Sequence, residues 1–320
     1  PLRYLGLPGP DLLDIRLFYE RLCTTRRFRF LGFNRAAGGQ GPDQIDLNIS
    51  LEEVRALANM DPQSHIVPDD FRTLARSDSM GWKSAVETGP FDVVNLDLCD
   101  NFLSDQIADP SIYGAIAKLF GLQKKSMNSW LLLLTTRVDR ATVDTDVLES
   151  LSGVLSTNLS DCEPFDEKFR SLTATGVDGP APDLRSCSDE QWILVVGVAI
   201  AKWLLSLATS AEMGFEFKSC MSYRVNPTDG PDDLLSVAIR LTPTVTVVAD
   251  PTGLAQAGGG PAPDECKEAT KLPPRVGKRV AVDVALGGDA HLAKELAEET
   301  AALLVEARYS RDDYLAWIAS

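Results

Sequence analysis

The amino-acid sequence predicts an α/β protein with a doubly wound, mostly parallel sheet, completed by a C-terminal antiparallel strand pair and extra helices. Two observations favour this fold class. Short, almost continuously apolar runs alternate with capped helical patterns through the first 140 residues, which is typical of strands buried on both faces. Two longer strand patterns then follow each other without a helix between them. Because helical crossovers join the first strands, we expect those strands to be parallel.

Five strands are predicted in the first half of the chain. They are the runs at 3–7, 28–33, 65–67, 91–98 and 130–135. Asp11 is the expected N-cap of the first helix, and Ser50 with Glu53 has the spacing of a capping box at the start of the second. The third predicted helix is a stretch that includes Trp82 and Val86, and the fourth covers 112–120.

The second half of the chain has a different pattern. Ser188 is the predicted cap of a helix whose apolar run, 193–207, contains Lys202. This run is shorter than the ~20 residues of a membrane span, so we expect a buried core helix. The remaining predicted elements are helices at 143–159, 165–172 and 289–308, a short last helix ending at Trp317, strands at 215–225 and 234–242 joined through 226–231, and loops at 176–182 and 255–263.

Composition and charge narrow the class of protein. A hydrophobic content of 44% with 24% charged residues is typical of a soluble globular protein, and we expect neither a secretory signal nor a membrane segment. The net charge of −15 disfavours direct nucleic-acid binding, because such binding needs Lys and Arg to neutralise phosphates. Six widely spaced cysteines argue against a zinc ribbon and a dense disulfide framework, and they favour a reducing cytoplasm.

The sequence does not contain the residues that metal, P-loop and dinucleotide sites usually require. The sequence contains two histidines, His65 and His291, so neither a His-rich metal site nor any other metal site is expected. Neither a phosphate-binding P-loop nor a G-x-G-x-x-G dinucleotide fingerprint is present.

Small and polar residues follow the predicted strands where each strand ends. Ligands of an open parallel sheet bind outside the carboxyl ends of its strands, so these residues are the candidates for a binding site. They are Gly6 and Gly9 after the first strand, Asn34 after the second, Asp69 and Asp70 after the third, and Asn95, Asp97 and Asp100 in and after the fourth.

The order of these elements resembles the class I S-adenosylmethionine-dependent methyltransferase fold, in which five alternating strands and helices precede an antiparallel strand pair. The resemblance covers residues 1–140 well and the rest of the chain loosely, and it depends on topology more than on motifs. It implies a Rossmann-like cofactor-binding half at 1–140. Residues 141–320 would add a helical insert, the strand pair and C-terminal helices that complete the same domain.

The resemblance also implies roles for the strand-end residues, with S-adenosylmethionine as the cofactor. The turn with Gly6 and Gly9 would lie against its methionine part, Asn34 against the ribose, and Asp69 or Asp70 against the adenine amine. The segment 95–101 would face the methyl acceptor, where a carboxylate can orient or deprotonate a hydroxyl or an amine. The cofactor-binding candidates are therefore Gly6, Gly9, Asn34, Asp69, Asp70 and Asn95, and the catalytic candidates are Asp97 and Asp100.

The motifs depart from the family pattern at two places. The first turn lacks G-x-G-x-G, and Asn34 stands where the family has Asp or Glu, so an Asn34→Asp variant is expected to bind the cofactor more tightly. Two functions stay open. One is a largely degenerate, non-catalytic or regulatory subunit of a larger bacterial complex, including complexes for defence against phage, with a protein partner. The other is an active methyltransferase on a non-nucleic-acid or complex-delivered substrate. A nucleotide- or dinucleotide-binding oxidoreductase on the same sheet is a third alternative.

Overall fold

An eight-stranded sheet forms the centre of the computed structural model, which describes residues 1–23, 25–39, 41–175, 181–225, 230–244 and 264–319. The strands are β1 (Leu2–Gly6), β2 (Phe28–Phe33), β3 (His65–Val67), β4 (Val93–Asn101), β5 (Trp130–Arg137), β6 (Met213–Tyr223), β7 (Leu234–Pro243) and β8 (Val280–Ala281). The helices are α1 (Leu13–Leu22), α2 (Pro42–Arg55), α3 (Met80–Thr88), α4 (Ile112–Gln123), α5 (Thr145–Asp161), α6 (Glu163–Leu172), α7 (Asp189–Ser210), α8 (Glu265–Ala269), α9 (Leu272–Val276), α10 (Val282–Gly288), α11 (Ala290–Glu306) and α12 (Arg311–Ile318).

The strands lie in the order β3-β2-β1-β4-β5-β7-β6-β8. Strands β1 to β5 pair in parallel, and β7 runs antiparallel to both β5 and β6. The predicted fold class is therefore confirmed. Because the chain moves from β1 to β2 and β3 on one side and from β4 to β5 on the other, the direction of winding reverses between β1 and β4. At this point the carboxyl ends of adjacent strands separate and leave room for a ligand.

Helix α7 is the core helix that its apolar run predicts. By length and composition it could cross a membrane, but 67% of its most apolar window is buried inside the protein. It contacts α5 and β6, and Ser188 and Gln191 form a capping box at its start. The buried Lys202 ammonium forms an ion pair with Glu265 Oε1 at 2.5 Å, and this pairing allows a lysine in an otherwise apolar helix.

Two predicted helix caps are wrong. Leu12, with a left-handed φ of 54°, occupies the N-cap position of α1, and the Asp11 carboxylate instead accepts a hydrogen bond from the Tyr309 hydroxyl at 2.9 Å. Helix α2 begins eight residues before the predicted cap at Ser50, because Pro42 can start a helix at its first position. Ser50 is buried within α2. The predicted loop at 255–263 lies outside the described residues, as do most of 176–182 and 226–231.

The C-terminal helices return to the first half of the chain through polar contacts. Arg21 of α1 pairs with Glu299 of α11 at 2.8 Å, and Arg308 pairs with Glu53 of α2 at 2.7 Å. Across residues 282–319, the buried positions are Ala301 and Ala307. Polar contacts from α11 and Arg308, rather than a large apolar interface, therefore attach this closing segment to the first half of the chain.

A disulfide joins Cys162, between α5 and α6, to Cys266 of α8, with 5.7 Å between their Cα atoms. The described residues contain this one disulfide. In this part of the chain, the finding agrees with the prediction of no dense disulfide framework. Cys23, Cys187 and Cys220 are free and buried.

Candidate functional site

A cavity of about 530 Å³ opens at the carboxyl ends of β1, β2, β3 and β4, where the winding reverses. We call it the main cleft. Its walls are the segments that follow these four strands together with Asp43 of α2 and Ile112 of α4. Its size falls within the range of about 300–1,000 Å³ that is usual for ligand pockets.

The structure brings most of the strand-end candidates to this cleft and leaves two below it. The candidates that line the main cleft are Gly9, Asn34, Asp69, Asp70, Asp97 and Asp100. Gly6 and Asn95 do not line it, because they lie farther from the open edge, where β1 and β4 pair with each other and the two Cα atoms are partners in the register.

Gly6 makes room for a buried tyrosine. A Cβ at Gly6 would lie 2.5 Å from the Tyr4 hydroxyl oxygen, and Tyr4 has no exposed surface. That hydroxyl donates a hydrogen bond to Asp14 and accepts one from Asn95 Nδ2 at 3.0 Å. Gly6 is therefore explained by packing beneath the cleft. Gly9 differs, because a Cβ there would meet nothing within 4 Å.

Gly6→Ala is expected to lower the free energy of unfolding by about 1–3 kcal/mol, because the new methyl group overpacks the buried Tyr4 ring. Urea denaturation followed by circular dichroism measures this change. Gly9→Ala is the matched control and should leave stability unchanged, since the space beside Gly9 is open. Equal stability of the two variants would contradict the packing role of Gly6.

Asn34 connects the ends of three neighbouring strands. Its Nδ2 donates to the carbonyl oxygen of Pro8 at 2.8 Å, and its backbone N–H donates to the carbonyl oxygen of Val67 at 3.2 Å. A carboxylate could not make the first of these bonds. The structure thus gives a reason for an amide at this position, independent of any cofactor.

Asn34→Asp is expected to destabilise the protein by about 1–2 kcal/mol at pH 7, because it removes the donor to Pro8 and brings a carboxylate to a carbonyl oxygen. Below about pH 4 the protonated carboxyl can donate again, so the difference should shrink. Asn128→Asp, at an exposed position, is the control. A variant as stable as the native protein at pH 7 would show that the contact with Pro8 contributes little. Its affinity for the cofactor stays a separate prediction.

The Asp70 carboxylate already makes a hydrogen bond and ion pairs within the protein. It caps the 3₁₀ turn at 71–75 by accepting from the backbone N–H of Arg72 at 2.8 Å. Its carboxylate also pairs with the guanidinium groups of Arg72 at 3.1 Å and Arg35 at 3.6 Å, and Arg72 extends to Asp105 at 3.0 Å. Asp69 accepts from the backbone N–H of Asp70 at 2.8 Å. Arg35 was not among the sequence candidates, although it directly follows the candidate Asn34.

Asp97 and Asp100 are the carboxylates of the candidate set that make no side-chain hydrogen bond or ion pair with the described residues. The surrounding walls partly desolvate the Asp97 carboxylate, which raises its pKa above the usual value, although part of the side chain stays exposed. Asp100 is exposed at the rim, and the cap of the following 3₁₀ turn is Asn101, not Asp100.

The charge of the main cleft is strongly negative. Six aspartates line it against two arginines, Arg35 and Arg72, both of which pair with Asp70. An acidic cavity attracts cationic groups and repels phosphates. Among the described residues, no group of three or more His, Cys, Asp or Glu side chains could hold a metal ion.

A second cavity of about 290 Å³, which we call the side cavity, shares Leu7, Gly9, Pro10 and Asp97 with the main cleft. Its other lining residues are Asp11, Leu12, Leu13, Asp14 and Asn95. Tyr4 and Asp14 were not among the sequence candidates. Tyr4 lies within an apolar run, and Asp14 within a helical pattern, so neither is distinguished locally.

Comparison with known proteins gave one family match and a distant structural similarity. The chain is similar to the crystal structure of an S-adenosylmethionine-dependent methyltransferase from Methanosarcina mazei, with 11% identity over 75% of this chain and 92% of that chain and a TM-score of 0.31. No residue role follows from a similarity of this size. No curated protein matched. A family model matches residues 1–319, and the chain therefore belongs to the PP_RS20740-like family.

Proposed function

We propose that the main cleft binds S-adenosylmethionine and that the protein is a methyltransferase acting on a non-nucleic-acid substrate. The observation that carries this proposal is the convergence of Gly9, Asn34, Asp69 and Asp97 on one acidic cavity where the sheet reverses its winding. S-Adenosylmethionine supplies an electrophilic methyl group on a positively charged sulfur.

The residues of the main cleft suit this ligand. Space beside Gly9 is open, so a ligand can approach the backbone there. Phe71 packs edge-on against Phe33 at a centroid distance of 5.7 Å, and both line the cleft, which provides an apolar wall for an adenine ring. The aspartates complement the ammonium and sulfonium charges of the ligand.

Asp97 is the candidate for positioning the methyl acceptor. Its carboxylate is not engaged by the described residues and lines both the main cleft and the side cavity. It can accept a hydrogen bond from an acceptor hydroxyl or amine and take its proton. The raised pKa moves this carboxyl towards the range in which a general base works efficiently.

The same electrostatics disfavour a dinucleotide-dependent oxidoreductase. A pyrophosphate would enter a cleft with six aspartates. The start of α1, where a dinucleotide phosphate would bind, contributes Asp14 rather than a glycine-rich turn. Nicotinamide dinucleotides therefore serve as negative controls in the binding experiment.

Calorimetric titration with S-adenosylmethionine and S-adenosylhomocysteine tests the proposal. We expect saturable binding of both ligands and none of NAD. Gly9→Leu should weaken binding at least about tenfold by filling the open space, an amount that corresponds to about 1.4 kcal/mol. Gly121→Leu is the matched control, because a side chain at Gly121 also meets nothing within 4 Å but lies on α4 outside the cleft. If neither ligand binds at millimolar concentration, the methyltransferase proposal is wrong.

A non-catalytic role as a subunit of a larger complex is the second candidate. The contacts of Asn34 with Pro8 and of Asp70 with Arg72 favour it, because two positions proposed for the cofactor are already used within the protein. This alternative predicts no cofactor binding together with a stable protein partner. Absence of binding by calorimetry and recovery of one stoichiometric partner from the native source would support it.

A further inference from the structure

The hydrogen bonds beside the side cavity have a fixed direction. The Tyr4 hydroxyl donates its proton to Asp14, and while burial raises the pKa of the Asp14 carboxyl, this hydrogen bond lowers it. Burial and the nearby Asp14 charge raise the pKa of Tyr4, so the phenol keeps this proton. The Tyr4 oxygen is then an acceptor, and the Asn95 group that approaches it at 3.0 Å must be the NH₂ group.

This direction determines what Asn95 can offer to a ligand. Since Tyr4 accepts from one of the two N–H bonds of this NH₂ group, it orients the amide, and the carbonyl oxygen Oδ1 and the second N–H are the groups left for a ligand. No described residue donates to Oδ1, and Asn95 lines the side cavity. An amide that could turn freely would present either its oxygen or its nitrogen at one place, whereas the bond to Tyr4 keeps Oδ1 in one position as an acceptor.

We propose that Asn95 is a specificity-determining residue, which accepts a hydrogen bond from the N–H of a small amine bound in the side cavity. This inference depends on the proposed function, because it assigns the amine as the methyl acceptor. The resemblance counted Asn95 among the cofactor-binding candidates but also gave the segment 95–101 to the acceptor side, and this inference places Asn95 with the acceptor.

The remaining lining of the side cavity agrees with an ammonium ligand that carries a short apolar chain. Its ionisable members, Asp11, Asp14 and Asp97, are all carboxylic acids, and none of its nine lining residues is Lys, Arg or His. Apolar walls come from Leu7, Pro10, Leu12 and Leu13. A carboxylate or phosphate ligand would find no cation in this lining and would lie beside three carboxyl groups.

The test is an NMR titration of the full chain, saturated with S-adenosylhomocysteine and without it, using three probes of similar size: n-butylammonium, 1-butanol and butyrate. We expect butylammonium to bind at least about tenfold more tightly than butanol, the equivalent of one charge-assisted hydrogen bond. Butyrate should not bind. Asn95→Leu should remove most of this preference, and Asn128→Leu, at an exposed position, should leave it unchanged.

Tyr4→Phe separates specificity from a structural role. Without the hydroxyl, the Asn95 amide can turn, so the preference for butylammonium over butanol should fall severalfold while the affinity for butanol is retained. A merely structural role would weaken both probes equally and would overturn the proposal. If circular dichroism shows that this variant is unfolded, Asp14→Asn replaces it, because an amide at position 14 also releases the fixed direction.

The two proposals fail in different ways. Equal binding of butylammonium and butanol to the native chain would overturn the amine site, whatever the affinity for S-adenosylhomocysteine. Selective amine binding without any S-adenosylhomocysteine binding would instead remove the methyltransferase assignment, and with it the role of the amine as methyl acceptor.

Discussion

Asp97→Asn is expected to lower methyl transfer by roughly 10²- to 10⁴-fold, the usual contribution of a positioned general base, and to leave the affinity for S-adenosylhomocysteine within about twofold. The physical reason is that Asp97 faces the side cavity as well as the main cleft, so its carboxylate is placed for the acceptor. Transfer of the labelled methyl group from S-adenosylmethionine to a panel of small amines measures turnover, and calorimetry measures binding.

The same variant should be more stable than the native protein at pH 7. The pKa of Asp97 is raised by burial, so the folded state binds a proton more readily than the unfolded state. The native protein therefore gains stability as the pH falls through the folded pKa towards the ordinary value of 3.8, and the advantage of the variant disappears there. Asp78→Asn, at an exposed position, is the control. Loss of S-adenosylhomocysteine binding in Asp97→Asn would instead assign Asp97 to the cofactor.

Removal of the disulfide between Cys162 and Cys266 is expected to lower the free energy of unfolding by about 3–5 kcal/mol. The bond links residues separated by 104 positions, so breaking it releases a long loop in the unfolded chain. Urea denaturation of the double variant Cys162→Ser/Cys266→Ser, with and without reductant, measures the effect. Reductant should destabilise the native protein and leave the double variant unchanged.

Thiol counting provides an independent check of this disulfide. In the denatured native protein, two fewer thiols should react before reduction than after it. An equal count would show that the bond does not form. Trapping thiols in intact cells extends the test to the native compartment: free thiols at Cys162 and Cys266 would indicate a reducing compartment, and a bonded pair an oxidising one.

The sheet could be predicted from the sequence because its signals are local. Each of the first five strands is an apolar run with its own flanking turn, and the structure places strands at all five. The N-terminal cap of α1 could not be predicted in the same way. Asp11 has the right chemistry for a cap, but the Tyr309 hydroxyl from the other end of the chain takes its carboxylate. Such a contact leaves no trace in a short window of sequence.

In the candidate site too, features with local sequence signals could be predicted, and contacts between distant parts of the chain could not. Residues in or after the carboxyl-terminal part of a strand, such as Asp97 and Gly9, reach the cleft because chain direction and strand order suffice to put them there. Asn34 reaches it too, but its bond to Pro8 depends on side-chain geometry that periodicity does not contain. The bonds of Tyr4 with Asp14 and Asn95 join three separate elements, so no local pattern of residues indicates them.

The polar attachment of the closing segment, residues 282–319, makes this part of the chain responsive to its surroundings. Ion pairs such as Arg308 with Glu53 weaken as dissolved salt screens them, whereas the buried sheet is insensitive to salt. The segment can thus detach at a free-energy cost well below that of global unfolding. Tyr309 touches Asp11 in the wall of the side cavity. By thermodynamic reciprocity, an occupant that fixes Asp11 in this contact also retains the segment, and detachment of the segment weakens that occupant.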